Sequence, residues 1–160
     1  MKNKFILLLL IFTSILVADD LDMKKLKAMK ARAIGPGGMS GRVTSIDVVL
    51  SNTNIIYVGT ASGGLWKSES GGIKWKPIFD DQNAASIGDV AVDPNNHDII
   101  WVGTGEGNPR NSQSAGFGVY KSIDGGNTWT FKGLGETRNI HRVLINPKNS
   151  DEVYIGAQGA

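Results

Sequence analysis

Four polar side chains crowd one short stretch, "GTGEGNPRNSQSAGFG": Glu106, Asn108, Arg110 and Asn111. A carboxylate, two amides and a guanidinium supply acceptors and donors suited to sugar hydroxyls or peptide amides. Phe117, near the end of the stretch, adds a face for stacking. A second crowding lies in "KSIDGGNTW", where Ser122, Asp124, Thr128 and Trp129 surround Gly125 and Gly126. Serine beside aspartate suggests nucleophile chemistry, but the spacing fits a turn better. An aspartate accepts N–H bonds within its own turn, and glycines supply positive φ where a side chain would clash. Trp129 then covers the hairpin. Ser68, Gly72 and Trp75 hold the same places in "SESGGIKW".

The remaining polar residues organise less well. His97 lies in a polar turn and His141 opens a strand-like segment, and the chain has no cysteine. Isolated histidines without such partners do not build a zinc site, so no metal is expected. Asp80 and Asp81 are adjacent, which on a strand sends them to opposite faces. "GPGGMSG" and "GTGEGN" are rich in glycine, yet no lysine follows and no helix opens after them. They do not form a phosphate loop, and no cofactor is expected.

The elements that carry these residues are short and β-rich, and they repeat. "NIIYVGTASGG" at 54–64 returns as "DIIWVGTGEGN" at 98–108, and "DEVYIGAQGA" at 151–160 begins it again. "GLWKSESGGIKW" matches "GVYKSIDGGNTW", and "DVAVDPNNHD" matches "RVLINPKNSD". Segments such as "IGDVAVD", "IIWVG", "GVYKS" and "TWTFKG" are divided by Asn, Asp, Pro and Gly, which reads as a run of hairpins. Four short strands recurring every forty to fifty-odd residues indicate an all-β chain of four-stranded antiparallel β-propeller blades. Blade one covers about residues 40–80, blade two about 86–134, and a third begins at about 139–160. The second copy carries about ten extra residues between its second and third strands, in the stretch that holds Glu106 to Phe117. Loops extended from a rigid scaffold commonly carry binding groups.

Residues 1–18 have a basic start at Lys2 and Lys4 and an apolar run, "FILLLLIFTSILV", before Ala18. This pattern predicts a secretory signal, hence a secreted, periplasmic or cell-surface location. The run is short for a membrane span, which needs about 20 residues. Leu16 is large for the cleavage site, which leaves an uncleaved anchor open. Residues 19–34 form a basic linker with Lys24, Lys25, Lys27, Lys30 and Arg32. From Gly35 to the end there are 10 basic and 12 acidic residues, so no basic face favours nucleic acid.

Ser122, Asp124, Gly126, Thr128 and Trp129 match in full the Ser-x-Asp-x-Gly-x-Thr-Trp pattern of the Asp-box, or BNR repeat. The first copy keeps Ser68, Gly72 and Trp75 but has Ser70 in place of the aspartate. Together with "IGPGGMSGRV", "YVGTASGGLWKS", "SIGDVAVDPNNHD" and "VGTGEGNPRNS", the chain resembles exported bacterial Asp-box propellers of the glycosyl-hydrolase-like and sortilin N-terminal-like kinds, related to xyloglucanases. The resemblance implies about two and a half blades of a larger ring, with the remaining blades in the same longer polypeptide. It also implies a scaffold that binds protein or glycan through its loops, or else a glycoside hydrolase. Such hydrolysis uses two carboxyl groups flanking the bond. The xyloglucanase resemblance implies a blade-one base at the position of Ala61, whose methyl group cannot take a proton. Binding is therefore the leading expectation, and hydrolysis by carboxylates mainly in other blades the second.

Overall fold

A computed structural model describes residues 42–108 and 113–159. The signal and linker segments, and Arg110 and Asn111, lie outside the described residues. The chain is all-β, and no helix occurs among the described residues. Blade one holds β1 (Val43–Val48), β2 (Ile56–Thr60), β3 (Leu65–Ser68) and β4 (Lys76–Pro77). Blade two holds β5 (Ile87–Val92), β6 (Ile100–Thr104), β7 (Val119–Ser122) and β8 (Thr130–Phe131). Each is an antiparallel meander with its strands in chain order. A third sheet pairs β9 (Asn139–Asn146) with β10 (Asn149–Gln158). The outermost strands β4 and β8 contain two residues each, shorter than the runs "KWKPIF" and "TWTFKG" suggest.

The blades interlock through one repeated device. Gly59, in the "VGT" of β2, leaves room for Ile87 of the next blade; a Cβ there would stand 2.6 Å from the Ile87 Cγ2. Gly103, its counterpart in β6, does the same for Ile140, where the distance would be 2.3 Å. Ile87 and Ile140 are fully buried as a result. The glycine is therefore a packing requirement rather than a turn, and burying each isoleucine contributes about 2 kcal/mol.

The serine-aspartate turn secures the outer side. Ser122 Oγ accepts from the Gly126 N–H at 2.9 Å, and Asp124 accepts from the Thr128 N–H at 2.8 Å and the Thr128 hydroxyl at 2.6 Å. These bonds hold the Asp124 carboxyl down to about 2, with those from Thr128 the largest cause. Gly125 and Gly126 have φ of 69° and 89°, as the turn requires. Trp129 then reaches blade one: its Nε1–H donates to the Ile78 carbonyl at 2.7 Å, and its ring meets Phe79 edge-on at 5.1 Å. Tyr57 of blade one donates back to the Gly125 carbonyl at 3.2 Å. In blade one Ser70 stands in for the aspartate, and its Oγ accepts from the Lys74 N–H at 2.8 Å.

Candidate functional site

The first strands of the three sheets lie side by side, β1 beside β5 and β5 beside β9. In a propeller these strands face the central channel. Here they form the wall of a groove of about 610 Å³, which Gly107 and Asn108 of the long β6–β7 connection also line.

The register places equivalent residues at one level of this wall. Ser45, Asp89 and Arg142 each stand opposite a glycine of the neighbouring strand, at Gly59, Gly103 and Gly156. A β-bulge adjoins each of these positions, a feature common where side chains are re-aimed near sites. The three side chains meet across the blades. Ser45 donates to Asp89 at 2.5 Å, and Arg142 Nη1 lies 4.0 Å from the other Asp89 oxygen. That oxygen also accepts the Val143 N–H at 2.8 Å. Asp47 does the same one blade earlier, accepting the Val92 N–H at 2.7 Å. Thr44 adds a hydroxyl bond to the Ile87 carbonyl at 2.7 Å.

Both wall carboxylates are thus spent on backbone N–H groups of the following blade. This reflects the edge problem of an innermost strand. Its channel-side backbone groups have no ladder partner, and an unmet buried N–H costs about 1–3 kcal/mol. The groove also offers a ligand Arg142, whose side chain is 67% exposed, with Asn108 and His141. His141 Nε2 lies 3.0 Å from Gln158 Oε1. It also packs against Gly107, where a Cβ would stand 1.9 Å from its Nδ1.

The long connection is clamped at its root. Thr104 Oγ1 donates to the Gly118 carbonyl at 2.7 Å and accepts the Phe117 N–H at 2.7 Å. Thr60 uses the same clamp on the tight loop of blade one, bonding the Gly64 carbonyl at 2.9 Å. The described flanks of the connection are held as well: Glu106 N–H donates to the Ser114 carbonyl at 3.0 Å, and Gly116 N–H to the Arg138 carbonyl at 2.8 Å.

Of the residues singled out from the sequence, Asn108 reaches the groove. Glu106 is only 1% exposed and forms an ion pair with Arg42 of blade one, so its carboxylate is occupied inside the protein. Phe117 is 41% exposed but stacks on Phe131 of the outer strand at 5.4 Å, away from the groove lining. Ala61 is buried at the end of β2, where its N–H donates to the Arg42 carbonyl. Asp80 and Asp81 are exposed and lie outside the strands, and His97 bonds Ser51 in an exposed turn. No cluster of three or more metal-ligating side chains occurs among the described residues. The stitching through Asp47 and Asp89, and the place of Arg142 at the same level, were not anticipated. Their signal was a polar residue interrupting the apolar strands "SIDVV", "IGDVAV" and "NIHRVLI".

Solved structures share this architecture. The chain is 30% identical to an ancestral GH74 enzyme over 73% of its length, with a TM-score of 0.62, and spans 16% of that protein. It is 25% identical to the GH74 enzyme of Niastella koreensis over 71% of its length, with a TM-score of 0.54, and spans 17% of it. YCF48 from Cyanidioschyzon merolae aligns over 68% of the chain at 16% identity with a TM-score of 0.45, the chain spanning 32% of it. No family model and no curated protein matches the sequence.

Proposed function

We propose that this chain forms the glycan-binding wall of an exported β-propeller, holding sugar hydroxyls in the groove along β1, β5 and β9. One observation carries this reading: the two carboxylates on the wall, Asp47 and Asp89, are bonded to backbone N–H groups of the next blade. A general acid must give up a proton and a base must accept one. Asp47 and Asp89 already have a structural role, holding neighbouring sheets together, that accounts for their presence on the wall. Arg142 and Asn108 line the same groove with exposed side chains.

Structural similarity to GH74 enzymes favours a second reading. In it this wall positions a glycan for hydrolysis by carboxylates supplied elsewhere, because Ala61 provides none.

Titration of the full chain with a xyloglucan oligosaccharide, alongside an assay for released reducing sugar, separates the two. Binding without release, weakened about tenfold by Arg142→Ala, is the expected result; one lost charged hydrogen bond has that size. Reducing-sugar release when this wall is presented together with the further blades of a longer polypeptide would establish the second reading. Binding unchanged in Arg142→Ala would remove the groove from the account.

A further inference from the structure

Each of the three sheets sends one side chain to the long β6–β7 connection, and the three hold the same place in their sheets. Arg42, Ser86 and Asn139 stand three residues before Ser45, Asp89 and Arg142, the residues that share one level of the wall. Each immediately precedes an apolar residue of a first strand, at Val43, Ile87 and Ile140. Arg42 pairs with Glu106. Ser86 Oγ donates to the Ser114 carbonyl at 3.2 Å, and the Ser86 carbonyl accepts the Gly105 N–H at 2.8 Å. Asn139 Nδ2 donates to Gln113 Oε1 at 3.2 Å. A guanidinium, a hydroxyl and an amide have little in common beyond a hydrogen to donate, so it is the place that recurs.

The bond from Asn139 continues to the groove. Gln113 Nε2 donates to the Asn108 carbonyl at 3.0 Å, and Asn108 lines the groove. A carbonyl only accepts, which fixes the direction of this relay. The Gln113 amide nitrogen faces Asn108, its oxygen faces Asn139, and the Asn139 amide nitrogen donates. Asn139 is only 2% exposed, and its Oδ1 has no hydrogen-bond partner among the described residues. A buried acceptor left unmet costs stability, so holding the sheets together does not by itself account for this asparagine. Between Glu106 and Asn108, Gly107 lies against His141 of the third sheet. The three residues leading into the groove are thus held from blade one at Glu106, and from the third sheet at Gly107 and Asn108.

We propose that Arg42, Ser86 and Asn139 form a seat for the connection, and that Gln113 is the positioning residue that fixes Asn108 at the groove. A donor held in place before a ligand arrives costs less ordering on binding than one on a loose loop. The consequence for ligand affinity rests on the glycan-binding reading; the seat itself does not. Arg42→Ala strands a buried carboxylate and puts the fold at risk. Gln113 is only partly buried, so Gln113→Glu carries the test. That variant keeps the shape of the side chain and the oxygen that faces Asn139, and it removes the donor to the Asn108 carbonyl.

The test has two readouts on the full chain. Without ligand, amide hydrogen exchange at Glu106 and Gly116, whose N–H groups tie the connection down, should quicken about fivefold in Gln113→Glu, the size of one neutral hydrogen bond. The amides of β6 should not change. Exchange at Glu106 and Gly116 that matches wild type would overturn the seat, whatever the chain binds. With a xyloglucan oligosaccharide, Gln113→Glu should weaken binding about fivefold. In an Asn108→Ala background the same substitution should cause no further loss, because a positioning residue acts through the group it positions. Additive losses, or full affinity in Gln113→Glu, would overturn the positioning role. No binding even by wild type would remove the groove reading and the positioning role together, and the exchange result would still decide the seat.

Discussion

Replacing Asp89 by alanine tests whether the channel wall is stitched together as described. The carboxylate accepts from the Ser45 hydroxyl at 2.5 Å, the Val90 N–H at 3.0 Å and the Val143 N–H at 2.8 Å. After truncation Val90 keeps a second partner, because its N–H also reaches Ser45 Oγ at 3.1 Å. The Val143 N–H loses its Asp89 partner in a buried position. An unmet buried donor costs about 1–3 kcal/mol, and the loss of a charge-assisted bond brings the total to roughly 2–4 kcal/mol. Asp89→Asn retains one acceptor oxygen and should cost less, about 1–2 kcal/mol. Urea unfolding of the full chain, followed by tryptophan fluorescence with the m-value held constant, reads these differences as a shift in midpoint. The order matters more than the size: alanine below asparagine below wild type. An alanine variant within about 0.5 kcal/mol of wild type, the range of an ordinary surface change, would show that the carboxylate is free for other work.

Two further perturbations examine other joints. Asp124→Asn should destabilise the chain by about 1–2 kcal/mol near neutral pH, allowing for the solvent around this partly exposed turn. The folded carboxyl is depressed to about 2 from an ordinary 3.8. Its contribution is therefore complete above the ordinary value and lost as pH falls through about 2. Wild type and variant should converge there in a pH series of unfolding midpoints; a constant gap would contradict this origin. Gly88→Ala should be more damaging than any surface change, because its Cβ would stand 2.0 Å from the Ile140 carbonyl and 2.4 Å from the Gly105 carbonyl, both backbone atoms. A cost above about 3 kcal/mol is expected from overpacking that side chains alone cannot relieve, read as loss of the cooperative thermal transition.

The repeat was legible because its grammar is local. Ser122, Asp124, Gly126 and Thr128 satisfy one another within a few residues, so their types and spacing announce the turn before any fold exists. Tryptophan after the turn announced a covered hairpin, though not that the Trp129 N–H reaches Ile78, 51 residues earlier. The channel wall was hidden for the same reason reversed. Asp47 serves Val92 across 45 residues and Asp89 serves Val143 across 54, and neither donor is distinctive in sequence. Glu106 misled because a carboxylate in a glycine-rich insertion has the composition of an open binding loop. Its partner Arg42 lies 64 positions away, and only the packing of blade two on blade one brings them together.

These long-range bonds also constrain function. Blade two and the third sheet each meet an unladdered first-strand N–H with a carboxylate from the blade before. A propeller built this way acquires acidic residues around its channel for structural reasons, and their number says nothing about catalysis. The informative residue is one at the same level that carries the opposite charge. Arg142 occupies the place held by Ser45 and Asp89 in the preceding blades, yet it is the most exposed of the three and lies 4.0 Å from the Asp89 carboxylate, beyond hydrogen-bond reach. Its charge faces the groove, so it is there, rather than at the aspartates, that a bound glycan should be felt first.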